Sequence, residues 1–136
     1  MKYTFPAIFR PEADGYCIFF PDIDDGATQA DTLDESIEMA TDWLAGALYM
    51  REKDGISIPI PSRIDAVEKQ DGDIATLILA DTSAYALVFE NRTIKKTLTL
   101  PYRLNEQAEN IGLNFSQALK EAVETKISEY QRTSST

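Results

Sequence analysis

The sequence predicts an α+β protein in two parts: a small sheet carrying one long helix, then a shorter strand, helix, tight turn and helix. Three observations carry that reading. Apolar side chains alternate at period two in Tyr3 to Phe9 and run densely through Tyr16 to Phe20 and Ile74 to Ala80, but recur at helical spacing from Leu33 to Leu48. Period-two alternation returns in Thr93 to Leu100, stops at Pro101 and gives way to two further helical stripes. Charge divides near the same place: residues 1–90 hold 6 Lys+Arg against 18 Asp+Glu, net −12, and residues 91–136 hold 7 against 5, net +2. The expected division is a front domain over 1–85, a second domain over 86–130 and a flexible tail over 131–136.

In chain order, Tyr3 to Phe9 is a strand in which Pro6, lacking an N–H, points to an edge or a bulge. Pro11 to Gly15 is a turn, Tyr16 to Phe20 a dense aromatic strand, Pro21 to Gly26 a second turn, and Ala27 to Gln29 a brief third strand. Thr32 with Glu35 three residues on forms a capping box. The helix it opens has Leu33, Ile37, Ala40, Leu44, Ala47 and Leu48 as its buried stripe and runs to about Lys53, before Asp54-Gly55. Ile56 to Ser62 is extended, because residues before Pro59 and Pro61 are pushed out of the α region. Arg63 to Asp73 is polar, and Ile74 to Ala80 completes a sheet of about four strands.

In the second part, a strand from Thr93 to Leu100 puts Ile94, Leu98 and Leu100 on one face and Lys95, Thr97 and Thr99 on the other. The same alternation sends Lys96 to the apolar side. Leu104, Ala108 and Ile111 mark a short helix closed by Gly112, and Asn114 caps a second helix bearing Phe115, Ala118, Leu119, Ala122, Val123 and Ile127. So short a segment cannot bury a core alone, so it should dimerise, two strands pairing antiparallel into a ribbon that fits the major groove. This resembles the ribbon-helix-helix family of DNA-binding proteins. In that family three alternate residues of the strand before the proline read base edges, and counting outward from Pro101 gives Thr99, Thr97 and Lys95. The family's second helix holds a DNA phosphate at its N-terminus, which falls here on the backbone at Asn114 and Phe115.

A hydrophobic content of 43% argues for a folded chain, and no apolar run approaches a membrane span. The start, Met1 to Pro6, lacks a signal-peptide apolar region, so a cytoplasmic protein is expected. Cys17 is the single cysteine and histidine is absent, which removes Ser-His and Cys-His dyads. No zinc spacing, phosphate loop or nucleophile elbow is present, and no cofactor is expected.

Tyr3-Thr4-Phe5-Pro6-Ala7-Ile8-Phe9, Asp14-Gly15-Tyr16, Phe20-Pro21-Asp22, Ala27 through Ser36 and Ile58-Pro59-Ile60-Pro61-Ser62 occur in one fixed order. Together they resemble the HicB antitoxin family, in the subclass that ends in a ribbon-helix-helix domain. The resemblance implies a partial RNase H-like front domain of β-β-β-α-β order. It also implies neutralisation of a basic mRNA-cleaving toxin called HicA, and repression of the pair's own promoter.

An RNase H-like fold makes metal-dependent cleavage worth weighing, since that chemistry needs converging carboxylates around two metal ions. Asp22, Asp24 and Asp25 are the densest cluster, but they lie in a turn, and Tyr3 to Phe9 offers no carboxylate. No enzyme and no catalytic or metal residue is expected. The acidic front suits a basic partner instead. Asp22, Asp24, Asp25 and Tyr16 are the residues expected to face the toxin, with Trp43 and Tyr49 as further aromatic candidates that core packing would equally explain. Two alternatives stand beside the antitoxin and repressor: an orphan regulator whose front domain binds another protein or ligand, and an RNase H-like nuclease.

Overall fold

In a computed structural model that describes residues 1–23 and 26–134, the chain divides into two compact units, Met1–Thr93 and Ile94–Thr136. The first unit holds β1 (Lys2–Glu12), β2 (Gly15–Phe19), β3 (Ala27–Ala30), α1 (Leu33–Asp54), a 3₁₀ turn at Ile64–Ala66, β4 (Ile74–Asp81) and α2 (Thr82–Glu90). The second holds α3 (Tyr102–Asn110) and α4 (Phe115–Ser134). This is an α+β chain.

Among the described residues the strands form a four-stranded antiparallel sheet in the order β3-β2-β1-β4. β1 is therefore not an edge, contrary to the hint from Pro6. It pairs with β4 from Lys2 to Phe9 but with β2 only from Ile8 to Glu12. Pro6 thus sits where one flank of β1 carries no ladder, and there a missing N–H costs least. Phe5, Phe9, Ile78 and Ala80 meet Leu44 and Leu48 of α1 to make the core. At the far end of β1, Arg10 donates twice to Asp73, at 3.0 and 2.9 Å, and lies 4.9 Å from the centre of the Phe19 ring. That pair, together with the Gln70 N–H, holds the Asp73 carboxyl below its ordinary pKa.

α1 starts where the capping box places it. Thr32 accepts from the Glu35 N–H at 3.2 Å, and the Glu35 carboxylate reaches back to Asp31 N–H, one residue beyond the usual target. Its buried side differs from the expected stripe: Ala40, Leu44 and Leu48 are fully buried, but Leu33 and Ile37 are 45% and 46% exposed. Ser36, Ala45 and Tyr49 are buried instead. The reason is α2, which the sequence reading did not contain. It packs against α1 around Tyr49 and leaves Ile37 exposed.

α2 spans the boundary expected at 85/86, and α4 continues to Ser134, into the segment expected to be a flexible tail. Asp81 caps α2 by accepting from Ser83 and Ala84 N–H groups. Tyr85 and Phe89 then stack on each other and meet the Tyr49 ring at a tilt, with ring centroids 5.5 Å apart in each pair. Gly46 is what permits the approach, because a Cβ there would lie 3.0 Å from the Tyr85 hydroxyl.

Candidate functional site

In the second unit α3 ends at Gly112, whose φ of 68° is the left-handed conformation glycine adopts without strain. Its N–H donates to the Glu109 carbonyl, and that of Leu113 to the Ala108 carbonyl, closing the turn. Asn114 then opens α4 by accepting from the Gln117 N–H at 3.1 Å.

Residues 93–101 form neither helix nor ladder, where a strand was expected. A strand is assigned by its hydrogen bonds to a neighbour, and a single copy of this segment has no neighbour edge. The alternation survives from Lys96 onward. Lys96, Leu98 and Leu100 line an open hollow of about 750 Å³ together with Leu104, Ala108, Leu113, Phe115 and Leu119. Ile94, expected on the same face, is exposed and lies outside that hollow. Lys95, Thr97 and Thr99 lie outside that lining and are exposed. Lys96 sits on the apolar side, as the alternation requires. Asn114 is occupied as a cap, and the Phe115 ring is 40% exposed at the wall of the hollow. No described residue of 94–134 is buried.

The front-unit candidates come apart. Asp22 accepts from the backbone N–H and the hydroxyl of Ser62, so its carboxylate fastens the extended Ile58 to Ser62 segment to the turn after β2. Asp24 and Asp25 lie outside the described residues. Tyr16 is half-buried against the core, and Trp43 stacks on Phe20 with centroids 5.3 Å apart. Tyr49 is 7% exposed and donates to Glu90 at 2.6 Å, a hydrogen bond that with burial pushes its phenol above the ordinary pKa. Asp22 and these aromatics serve the fold. The surface that sequence reasoning missed is built by α2, and its signal was present: Asp81 as a cap, then Tyr85, Val88 and Phe89 at helical spacing.

β1 runs to Glu12, so it carries one carboxylate that the shorter expected strand lacked, at an exposed end. Among the described residues no three His, Cys, Asp or Glu side chains are placed to hold a metal ion. No described helix is long and apolar enough to cross a membrane.

Comparison with known proteins places this architecture. The antitoxin HicB 1 of Photorhabdus laumondii is 40% identical over 65 residues, 47% of this chain and 41% of that protein, so the match spans about two fifths of the curated relative. A toxin-antitoxin complex from Streptococcus pneumoniae contains a chain with TM-score 0.60 and 28% identity, covering 93% of this chain and 99% of that one. The antitoxin HicB of Burkholderia pseudomallei shares the fold, with TM-score 0.53 at 16% identity over 89% of this chain and 96% of its own. The family described as HicB_like antitoxin of bacterial toxin-antitoxin system matches residues 2–75. Its members are antitoxins and are not known as enzymes. The chain belongs to the HicB-like antitoxin family.

Proposed function

We propose that this antitoxin binds and neutralises a HicA-type mRNA-cleaving toxin through its front unit and represses its own operon by binding operator DNA through its second unit. The front unit is read as a partial RNase H-like domain and the second as a ribbon-helix-helix domain. Both partners place its work in the cytoplasm. The observation that carries the repressor half is that no described residue of the second unit is buried, although Leu98, Leu100, Leu104, Leu113, Phe115 and Leu119 all line one hollow. So large an apolar surface calls for a partner, and a second copy supplies an identical face and the missing strand edge. Pairing the two Thr93 to Leu100 segments over that hollow turns Lys95, Thr97 and Thr99 outward as a two-stranded ribbon, suited to base edges in the major groove. The N-terminal amides of α4 at Asn114 and Phe115 would then meet a phosphate.

For the front unit, the net charge of −12 over residues 1–90 matches a basic RNA-binding toxin and would speed encounter with it. The Streptococcus pneumoniae relative was solved in a toxin-antitoxin complex, which supports a toxin partner here. The test is a mobility shift with the DNA upstream of this gene at two salt concentrations, alongside capture of the product of the neighbouring open reading frame. Operator binding should weaken steeply with salt, and capture should persist without DNA. A chain that binds neither would sink the proposal, and one that binds DNA alone would be an orphan regulator.

A further inference from the structure

Asp81, Tyr85 and Phe89, whose contacts are described above, form part of the wall of a groove between α1 and α2 of the front unit. Ile37 and Ala45 of α1, Leu79 of β4 and Val88 of α2 line an open hollow of about 770 Å³. Ile37, Leu79 and Val88 are 46%, 56% and 76% exposed, so three large aliphatic side chains face water from three elements. Burying them would return about 25 cal/mol for each Å² removed from water. The walls are held in place: Tyr49, Tyr85 and Phe89 lock α2 to α1, and Asp81 fixes its first turn. A preformed groove spares its partner the cost of ordering it.

Charge identifies the occupant. Glu38, Asp42 and Asp81 share the lining with the aliphatic side chains against one cation, Arg92, which lies 3.9 Å from the centre of the Phe89 ring, and no described Lys or Arg pairs with Glu38 or Asp42. A second front unit would bring its own surplus of carboxylates against them, and an acidic or fatty-acid ligand would meet the same repulsion. An apolar projection flanked by Lys or Arg satisfies both the aliphatic wall and the carboxylates. We infer that the groove between α1 and α2 is the docking site of the HicA-type toxin, which inserts an apolar side chain against Ile37, Leu79 and Val88 and sets basic side chains on Glu38 and Asp42. This rests on the neutralisation reading above.

The experiment uses the full chain and a catalytically inactive variant of the product of the neighbouring open reading frame. Val88→Asp and Ile37→Asp should each weaken capture on the order of 100-fold, because an unpaired charge is forced into an apolar contact. Both positions are exposed, so thermal unfolding should match the parent. Ile60→Asp, at a side chain 90% exposed and outside the groove, should leave capture unchanged. Glu38→Lys with Asp42→Lys should slow association and flatten its salt dependence. If the unaltered chain does not capture the toxin, the neutralisation reading fails and takes this inference with it. If the unaltered chain captures it and the groove variants do so equally, the groove alone is overturned. If the variants instead change the mass of the antitoxin in the absence of toxin, the groove holds a second copy, which also overturns it.

Discussion

Phe5, Phe9, Leu44 and Leu48 in the front unit are each no more than 1% exposed, while no described side chain of residues 94–134 is buried. The two units reach opposite solutions with similar materials. In the first, the eleven residues of β1 pair with β4 along one half and β2 along the other and α1 closes one face, so the apolar residues find their partners inside one chain. In the second, two helices and an unladdered segment leave Leu98 at 64% and Ile111 at 77% exposure. The difference teaches that the front unit's stability should be independent of concentration, whereas the second unit's folding should depend on concentration if it pairs as proposed.

Removing the second unit breaks that comparison most severely. A chain truncated after Thr93 keeps α2 whole, and by light scattering it should lose the ribbon dimer while retaining a cooperative melt. A truncated chain with the same dimer mass would place the two-fold contact in the front unit. Next in size, Leu44→Ala empties a fully buried site and should cost the front unit about 2 to 5 kcal/mol in urea unfolding. Leu98→Ala should cost roughly 2 to 3 kcal/mol and show it only as a concentration-dependent loss of dimer and of operator binding. If Leu98→Ala behaves like Leu44→Ala, independent of concentration, the two units are not built on different principles.

What could be read from the sequence follows the same line. Local chemistry was legible: Thr32 and Glu35 at the start of α1, Gly112 and Asn114 between α3 and α4, and the alternation that sends Lys96, Leu98 and Leu100 to one side. Packing between distant elements was not. Leu33 and Ile37 carry the right spacing for a buried stripe, yet burial depends on which element lies opposite, and α2 reaches Tyr49 while leaving Ile37 uncovered. The hydrogen bond from Ser62 to Asp22 joins residues 40 apart in sequence. Such a pairing has no local signature.

The Arg10–Asp73 pair sharpens the front unit's side of the comparison through pH. Its hydrogen bonds to Arg10 and Gln70 lower the Asp73 pKa in the folded state below the unfolded value near 3.8. The stabilisation is therefore present above pH 3.8 and is lost as pH falls through the folded-state pKa. Asp73→Asn should remove most of this acid sensitivity, so that wild type and variant differ in urea midpoint at pH 7 and converge as pH falls through the folded-state pKa of Asp73. A constant difference across that range would mean that Asp73 acts through packing alone.

The smallest expected effect is the most discriminating, because it turns neighbouring residues of one segment to opposite uses. Thr97 lies outside the hollow that Leu98 lines. Thr97→Ala should leave the melting temperature, dimer mass and toxin capture unchanged, and should weaken operator binding by about 1 kcal/mol, roughly fivefold, since a hydroxyl makes a single hydrogen bond to a base edge. Lys95→Ala should lose somewhat more and also reduce the salt dependence, a cation having left the interface. A shift by one residue in the pairing of the two segments would exchange these roles. If Thr97→Ala dissociates the dimer while Leu98→Ala only weakens DNA binding, the ribbon turns its other face to the groove, and Lys96 and Leu98, not Lys95 and Thr97, touch the bases.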